Sequence, residues 1–233
     1  MNLIKYIPNT FTILNLLSGC MGLVSIYEGN LTQGAVFILI GAVFDFLDGF
    51  SARVLNAMSR IGKELDSLAD LITFGVLPAF LLYQMILEHG IPYISLLSLL
   101  VVIGSAFRLA RFNIDESQKE VFKGMPTPAN AFLIAGLVFC WDADWEIFSI
   151  IYGNLWGLVF FTLICSLFLN VPLRFMSFKI KEFAIRGNEL SILLALVSFV
   201  CLILFNLKGI FPATLFYVLL SLMKNIFISK AVS

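Results

Sequence analysis

Charge is scarce in this chain. Of its 233 residues, 15 are Lys or Arg and 15 are Asp or Glu, so charged residues make up 13% and the formal net charge is zero. No nucleic-acid partner is expected of so small a basic complement. Histidine is scarcer still: His89 stands alone, in the short stretch Glu88-His89-Gly90, and reads as a solvated loop residue. The four cysteines, Cys20, Cys140, Cys165 and Cys201, all lie inside apolar runs with no C-x-x-C spacing. They read as small packed hydrophobes rather than ligands or redox partners. No internal repeat or low-complexity segment is visible. The first apolar run lacks a closing small-residue cleavage site, so it reads as a span and not as a removable signal.

What is abundant is apolar sequence. The chain is 60% hydrophobic with a mean hydropathy of +0.99, above the roughly half-apolar composition of soluble domains. The expected fold is an all-α polytopic membrane bundle forming one domain over residues 1–233. About eight spans are expected, at 9–28, 31–55, 64–87, 92–111, 127–142, 147–170, 188–206 and 211–229, each near the length a bilayer core requires. The fifth is short and opens Pro-x-Pro. The loops after spans one, three, five and seven are short, and Lys208 is the one Lys or Arg among them. The positive-inside rule then places both termini in the cytoplasm. The polar segment 112–126 lies on that side. The basic residues Arg174, Lys179, Lys181 and Arg186, in an apolar frame, suggest an interfacial helix over 170–188.

Against this background the stretch DFLDGFSARVLNAMSRIGKELDSLAD, from Asp45 to Asp70, is conspicuous. Ionisable groups at a bilayer edge are costly and point to chemistry or ion movement. Asp45 and Asp48 share a helical face, with Gly49 and Ala52 one turn above them. Arg53 follows at the same end. Gly62, Asp66 and Asp70 form a second stripe at i, i+4 and i+8. Two facing helices of this kind present four carboxylates, a cation and a bare floor. Oxygen ligands without His or Cys suit Mg²⁺ or Mn²⁺, and the small residues leave room for a bulky phosphate that Arg53 can pair. A cation transporter or proton relay explains the carboxylates but neither the small residues nor Arg53.

The spacing D-x2-D-G-x2-A-R-x8-G-x3-D-x3-D, carried by Asp45, Asp48, Gly49, Ala52, Arg53, Gly62, Asp66 and Asp70, resembles the signature of the CDP-alcohol phosphotransferases without departure. Two further stretches resemble the serine-using branch of that family. PNTFTILNLLSG opens the first span, with Asn9, Thr12 and Asn15 toward one face. GSAFRLARFN ends the fourth, with Arg108 and Arg111 three apart and Asn113 after them, and FKGMPTPANA follows, with Lys123, Thr127 and Asn130. The likeness is good over residues 8–130 and rests on hydropathy alone beyond Phe132.

The resemblance implies transfer of a phosphatidyl group from CDP-diacylglycerol to L-serine with release of CMP. It implies two divalent ions, Mg²⁺ or Mn²⁺, held by Asp45, Asp48, Asp66 and Asp70, with Asp70 also the general base. Asn9 and Thr12 would help bind the cytidine nucleotide, beside Gly49, Ala52, Arg53 and Gly62. Arg108, Arg111, Asn113, Lys123 and Thr127 would serve the acceptor or lipid phosphate, a guanidinium being suited to the serine carboxylate. It also implies a homodimer in the cell membrane with its site facing the cytoplasm. The same chemistry on glycerol 3-phosphate or inositol phosphate is the main alternative, ahead of a non-enzymatic transporter or a structural membrane protein.

Overall fold

A computed structural model describes residues 6–114, 122–175 and 189–232; of these, the side chains at 122, 123, 174 and 226–232 lie outside the description. Among the described residues the chain is helical apart from turns and one antiparallel pair of two-residue strands, β1 (Phe122–Lys123) and β2 (Arg174–Phe175). Helices α1 (Ile7–Tyr27) and α2 (Leu31–Val54) form a hairpin turned at Gly29 and Asn30. Pro8 sits in the first turn of α1, where its missing N–H costs nothing. Asn30 caps α2 by accepting from the Gln33 backbone N–H at 2.9 Å. Ser59 does the same for Gly62 at the start of α3 (Arg60–Asp70).

Helix α3 runs on through a π-helical turn, Leu71–Val76, into α4 (Leu77–Leu87), giving one 28-residue apolar run. A short α5 (Pro92–Ser95) passes through a 3₁₀ turn into α6 (Leu99–Ile114). The centre of the bundle is α7 (Thr127–Asp142), packed by α2, α4, α6, α9 and α11 and buried on nearly every side. Helix α8 (Ser149–Tyr152) precedes α9 (Leu155–Asn170), and α10 (Glu189–Phe205) and α11 (Ile210–Val232) follow.

Five helical runs among the described residues are long and apolar enough to cross a membrane, six if the bent pair Glu146–Tyr152 and Leu155–Asn170 counts as one span. The chain is therefore a polytopic helical membrane protein. The expected fifth span is a helix of 16 residues, shorter than a full crossing, because Pro126 and Pro128 begin it and the left-handed Asp144 lies just past its end. The sixth bends by 81°, where Asn154 caps α9 by accepting from Gly157 N–H. The run Leu190–Asn225 contains a reversal: Asn206 takes a φ of +53°, and Gly209 lies against the Cys201 carbonyl, where no side chain fits. A count of eight spans stays an expectation. The interfacial helix expected over 170–188 falls largely on residues 176–188, outside the described residues; its first part is β2, paired with β1.

Two facts orient the site. The turn at Glu28–Thr32 meets Glu88 and Asp142 around a cleft at one end of the bundle. Asp45 and Asp48 lie in the far half of the 24-residue α2, toward the other end. Small residues let α1, α2 and the π turn approach closely there. A Cβ on Gly41 would collide with Thr73 Cγ2 and sit 2.9 Å from Asn15 Oδ1.

Candidate active site

Helices α1, α2 and α3 converge at the aspartate end. Asp45 and Asp48 of α2 and Asp66 of α3 each bring a carboxylate oxygen within 4.8 Å of the others. Asp48 is buried, and its Oδ2 accepts from the Thr12 hydroxyl at 2.8 Å. Asp66 Oδ1 is buried with no hydrogen-bond partner among the described residues. Like charges about 4 Å apart repel by roughly 4 kcal/mol at an effective dielectric near 20. A hard divalent cation reverses the sign of that term, and an oxygen-only donor set with an unpartnered buried oxygen fits Mg²⁺ or Mn²⁺. The three residues can therefore hold a metal ion.

Asp70 stands apart from this group. It lies one turn beyond Asp66, where the π turn begins, and its Oδ1 accepts from Asn15 Nδ2 at 3.1 Å. The positive charge of Arg108 also acts on it. The expected set of four carboxylates is thus arranged as three that share one point and a fourth held separately.

A cleft of about 740 Å³ opens beside the three carboxylates. Asp48 and Asp66 line it, as do Asn9, Thr12, Gly49, Ala52, Arg53 and Gly62. The structure thus brings together the motif residues expected around a nucleotide. A Cβ on Gly49 would meet nothing within 4 Å among the described residues, so a larger side chain there projects into open cleft. Gly62 is bare for another reason: its Cβ would come within 2.9 Å of Ser59 Oγ and 3.1 Å of Asn9 Oδ1. Arg53 is exposed, and its Nε donates to the Gly49 carbonyl at 2.9 Å, which fixes the guanidinium at the rim. Gly49→Leu is expected to insert and remain monodisperse in detergent while losing nucleotide binding, measured by calorimetry with CDP. Normal CDP binding by that variant places the nucleotide elsewhere.

The second set of candidates divides. Arg108 is buried, and its NH1 donates to Thr127 Oγ1 at 3.2 Å, while its Nε has no partner among the described residues. Arg111 is exposed, so the two arginines do not share a surrounding. A spacing of three leaves about 60° between side chains, enough here to put one inside the bundle and one outside. Asn113 ties α6 to α3: its carbonyl accepts from Lys63 Nζ at 2.9 Å, and its Nδ2 donates to Ser67 Oγ at 2.8 Å. The Lys123 side chain is outside the described residues. Gly124 takes a φ of +87° and packs on the Leu169 carbonyl, and Met125 N–H donates to Phe168 O at 2.8 Å. The Gly124–Thr127 segment is therefore pinned to the end of α9. Thr127 is fully buried, and neither it nor Arg108 lines the cleft.

Sequence reasoning assigned no role to Asn15, although the polar i, i+3, i+6 pattern from Asn9 through Thr12 held the signal. It also passed over Met58, Arg60, Lys63 and Phe112, which line the cleft; nothing in their pattern sets them apart from an ordinary interfacial turn.

A family model described as CDP-alcohol phosphatidyltransferase matches residues 5–169. This chain belongs to that family. The CDP-diacylglycerol–serine O-phosphatidyltransferase of Bacillus subtilis is 40% identical over 139 residues, an alignment covering 59% of this chain and 78% of that relative. The protein of the same name from Saccharomyces cerevisiae is 37% identical over 151 residues, covering 58% of this chain and 54% of its own length. The archaetidylserine synthase of Methanothermobacter thermautotrophicus is 34% identical over 132 residues, with 55% of this chain and 56% of that protein aligned. The chain therefore spans most of the Bacillus relative and about half of the other two. Within the CDP-alcohol phosphatidyltransferase region lie all three metal-binding candidates, Asp70 and the whole cleft.

Proposed function

We propose that this protein transfers the phosphatidyl group of CDP-diacylglycerol to the hydroxyl of L-serine, giving phosphatidylserine and CMP. The observation that carries the reading is the split of the aspartates: three converge beside a cleft with a bare floor, and the fourth is held apart near a buried guanidinium. The relatives named for serine transfer support the choice of acceptor.

Asp45, Asp48 and Asp66 would hold divalent metal, two ions of Mg²⁺ or Mn²⁺ in our reading, with Asp70 within reach of the second. Such ions, when bound, neutralise the donor diphosphate and ease departure of CMP. The chain's own residues do the rest. Asn9, Thr12, Gly49, Ala52 and Gly62 form the nucleotide wall, and Arg53 at the rim pairs a phosphate oxygen. Asp70 accepts the serine hydroxyl proton as the serine oxygen attacks the phosphorus that bears diacylglycerol. The bond from that phosphorus to the bridging oxygen of CMP breaks, and CMP carries the electron pair away. Arg108 holds the serine carboxylate, steadied by Thr127. The enzyme works as a homodimer in the cell membrane with the aspartate end in the cytoplasm, where the basic loops lie.

The test is direct. Purified protein in detergent is given CDP-diacylglycerol, Mn²⁺ or Mg²⁺, and a panel of serine, glycerol 3-phosphate and inositol phosphate, and the lipid formed is identified. Phosphatidylserine is expected. Another lipid product moves the acceptor, and metal flux in vesicles without CMP release overturns the enzymatic reading. Arg108→Lys is expected to raise the KM for serine by about tenfold or more while leaving that for CDP-diacylglycerol little changed, because an ammonium replaces a bidentate fork poorly. Arg111→Lys, at an exposed position, should leave both constants unchanged. A rise in the CDP-diacylglycerol constant alone in Arg108→Lys assigns that arginine to the lipid phosphate.

A further inference from the structure

We infer that Asn15 is a positioning residue: it holds Asp70 in the orientation that receives the acceptor's proton and keeps it out of the metal-binding carboxylate group. The inference rests on Asp70 being the base in the proposed reaction. Asn15 lies three residues beyond Thr12 on α1, so the two share a helical side, and each binds one motif aspartate. Thr12 donates to Asp48, inside the group of three, and Asn15 Nδ2 donates to Asp70 Oδ1, outside it.

The clamp is built from three elements. Asn15 is fully buried. Its carbonyl accepts from the Thr73 hydroxyl at 2.9 Å. Thr73 belongs to the π turn that begins straight after Asp70, so one residue of α1 grips both the carboxylate and the backbone turn that aims it. Gly41 of α2 closes the third side, its missing side chain leaving the space that Asn15 Oδ1 and Thr73 Cγ2 fill. A π turn inserts a wide loop into a helix and re-aims the side chains around it. Without that turn, Asp70 would continue the stripe of Gly62 and Asp66 toward the three carboxylates. With one oxygen engaged by an amide donor, Asp70 has a single oxygen free, and its rotamer is fixed. Misplacing a reacting group by about 1 Å can cost roughly 100-fold in rate.

The experiment measures CMP release by wild type, Asn15→Leu, Asn15→Ala and Thr73→Val, with whichever acceptor wild type uses, alongside Mn²⁺ affinity by calorimetry. Both Asn15 variants are expected to lose roughly 10–100-fold in kcat with the KM for donor and acceptor and the Mn²⁺ affinity little changed. Thr73→Val, which loosens the turn but leaves the amide in place, should show a smaller loss in kcat alone. Asn15→Ala, the smaller change, decides the matter if Asn15→Leu does not fold. A kcat within about twofold of wild type in Asn15→Ala overturns the inference. So does a fall in Mn²⁺ affinity of about tenfold or more, the scale of losing support to a metal ligand, because Asn15 would then be serving the ions. A wild-type acceptor other than serine defeats the serine reading separately, since the Asn15 comparison is a ratio on the acceptor actually used.

Discussion

Stripping divalent cations from the purified protein is expected to abolish transfer altogether, and Mn²⁺ or Mg²⁺ to restore it. The reason is in the geometry. Three carboxylate oxygens lie within 4.8 Å of one another, and one oxygen of Asp66 is buried without a partner among the described residues. Among those residues, no Lys or Arg side chain acts on Asp66 to offset the charge. Without a cation, this cluster repels both itself and the diphosphate that the cleft is shaped to receive. The loss should be complete and fully reversible, which separates it from denaturation. Turnover that persists in excess chelator would falsify metal-assisted transfer at this site. Asp66→Asn should reproduce most of the chelator effect, and its Mn²⁺ affinity, read by calorimetry, should fall by roughly 10–100-fold or more.

Asp70→Asn is expected to lower turnover by roughly 100-fold or more, the usual loss on removing an acid–base group, while CDP-diacylglycerol still binds. The carbonyl oxygen of the introduced amide can still accept from Asn15 Nδ2, so the bond seen at 3.1 Å need not be lost. What disappears is the capacity to take a proton. Binding of CDP by calorimetry and CMP release in the same preparation check the two halves. Near-normal turnover would mean that the base lies elsewhere, and loss of CDP binding together with turnover would mean that Asp70 serves the donor.

The aspartate pattern was legible in the sequence because helical periodicity alone puts Asp45 and Asp48, then Gly62, Asp66 and Asp70, on common sides. The same logic failed for Arg108 and Arg111. Spacing predicts a shared side only to within about 60°, and at a helix near the bundle edge that angle separates a buried residue from an exposed one. It failed again at Asp70, because a straight α-helix was assumed and the chain inserts a π turn after it. Thr73 and Gly75, both buried in that turn, look like ordinary small residues of a span.

Composition by itself determined that this chain lives in a membrane, since 60% apolar residues and long uncharged runs leave no soluble alternative. The order of residues determined where hard cations and a phosphate would be met, because eight small, acidic and basic positions at fixed spacing constrain two helical faces. What the sequence could not decide is how four equal carboxylates divide their work. That depends on which partner each one finds across the bundle: Thr12 for Asp48, Asn15 for Asp70, and, among the described residues, none for Asp66 Oδ1. Such pairings join residues 36 and 55 positions apart, and only the close packing of α1, α2 and the π turn around Gly41 brings them within hydrogen-bond reach.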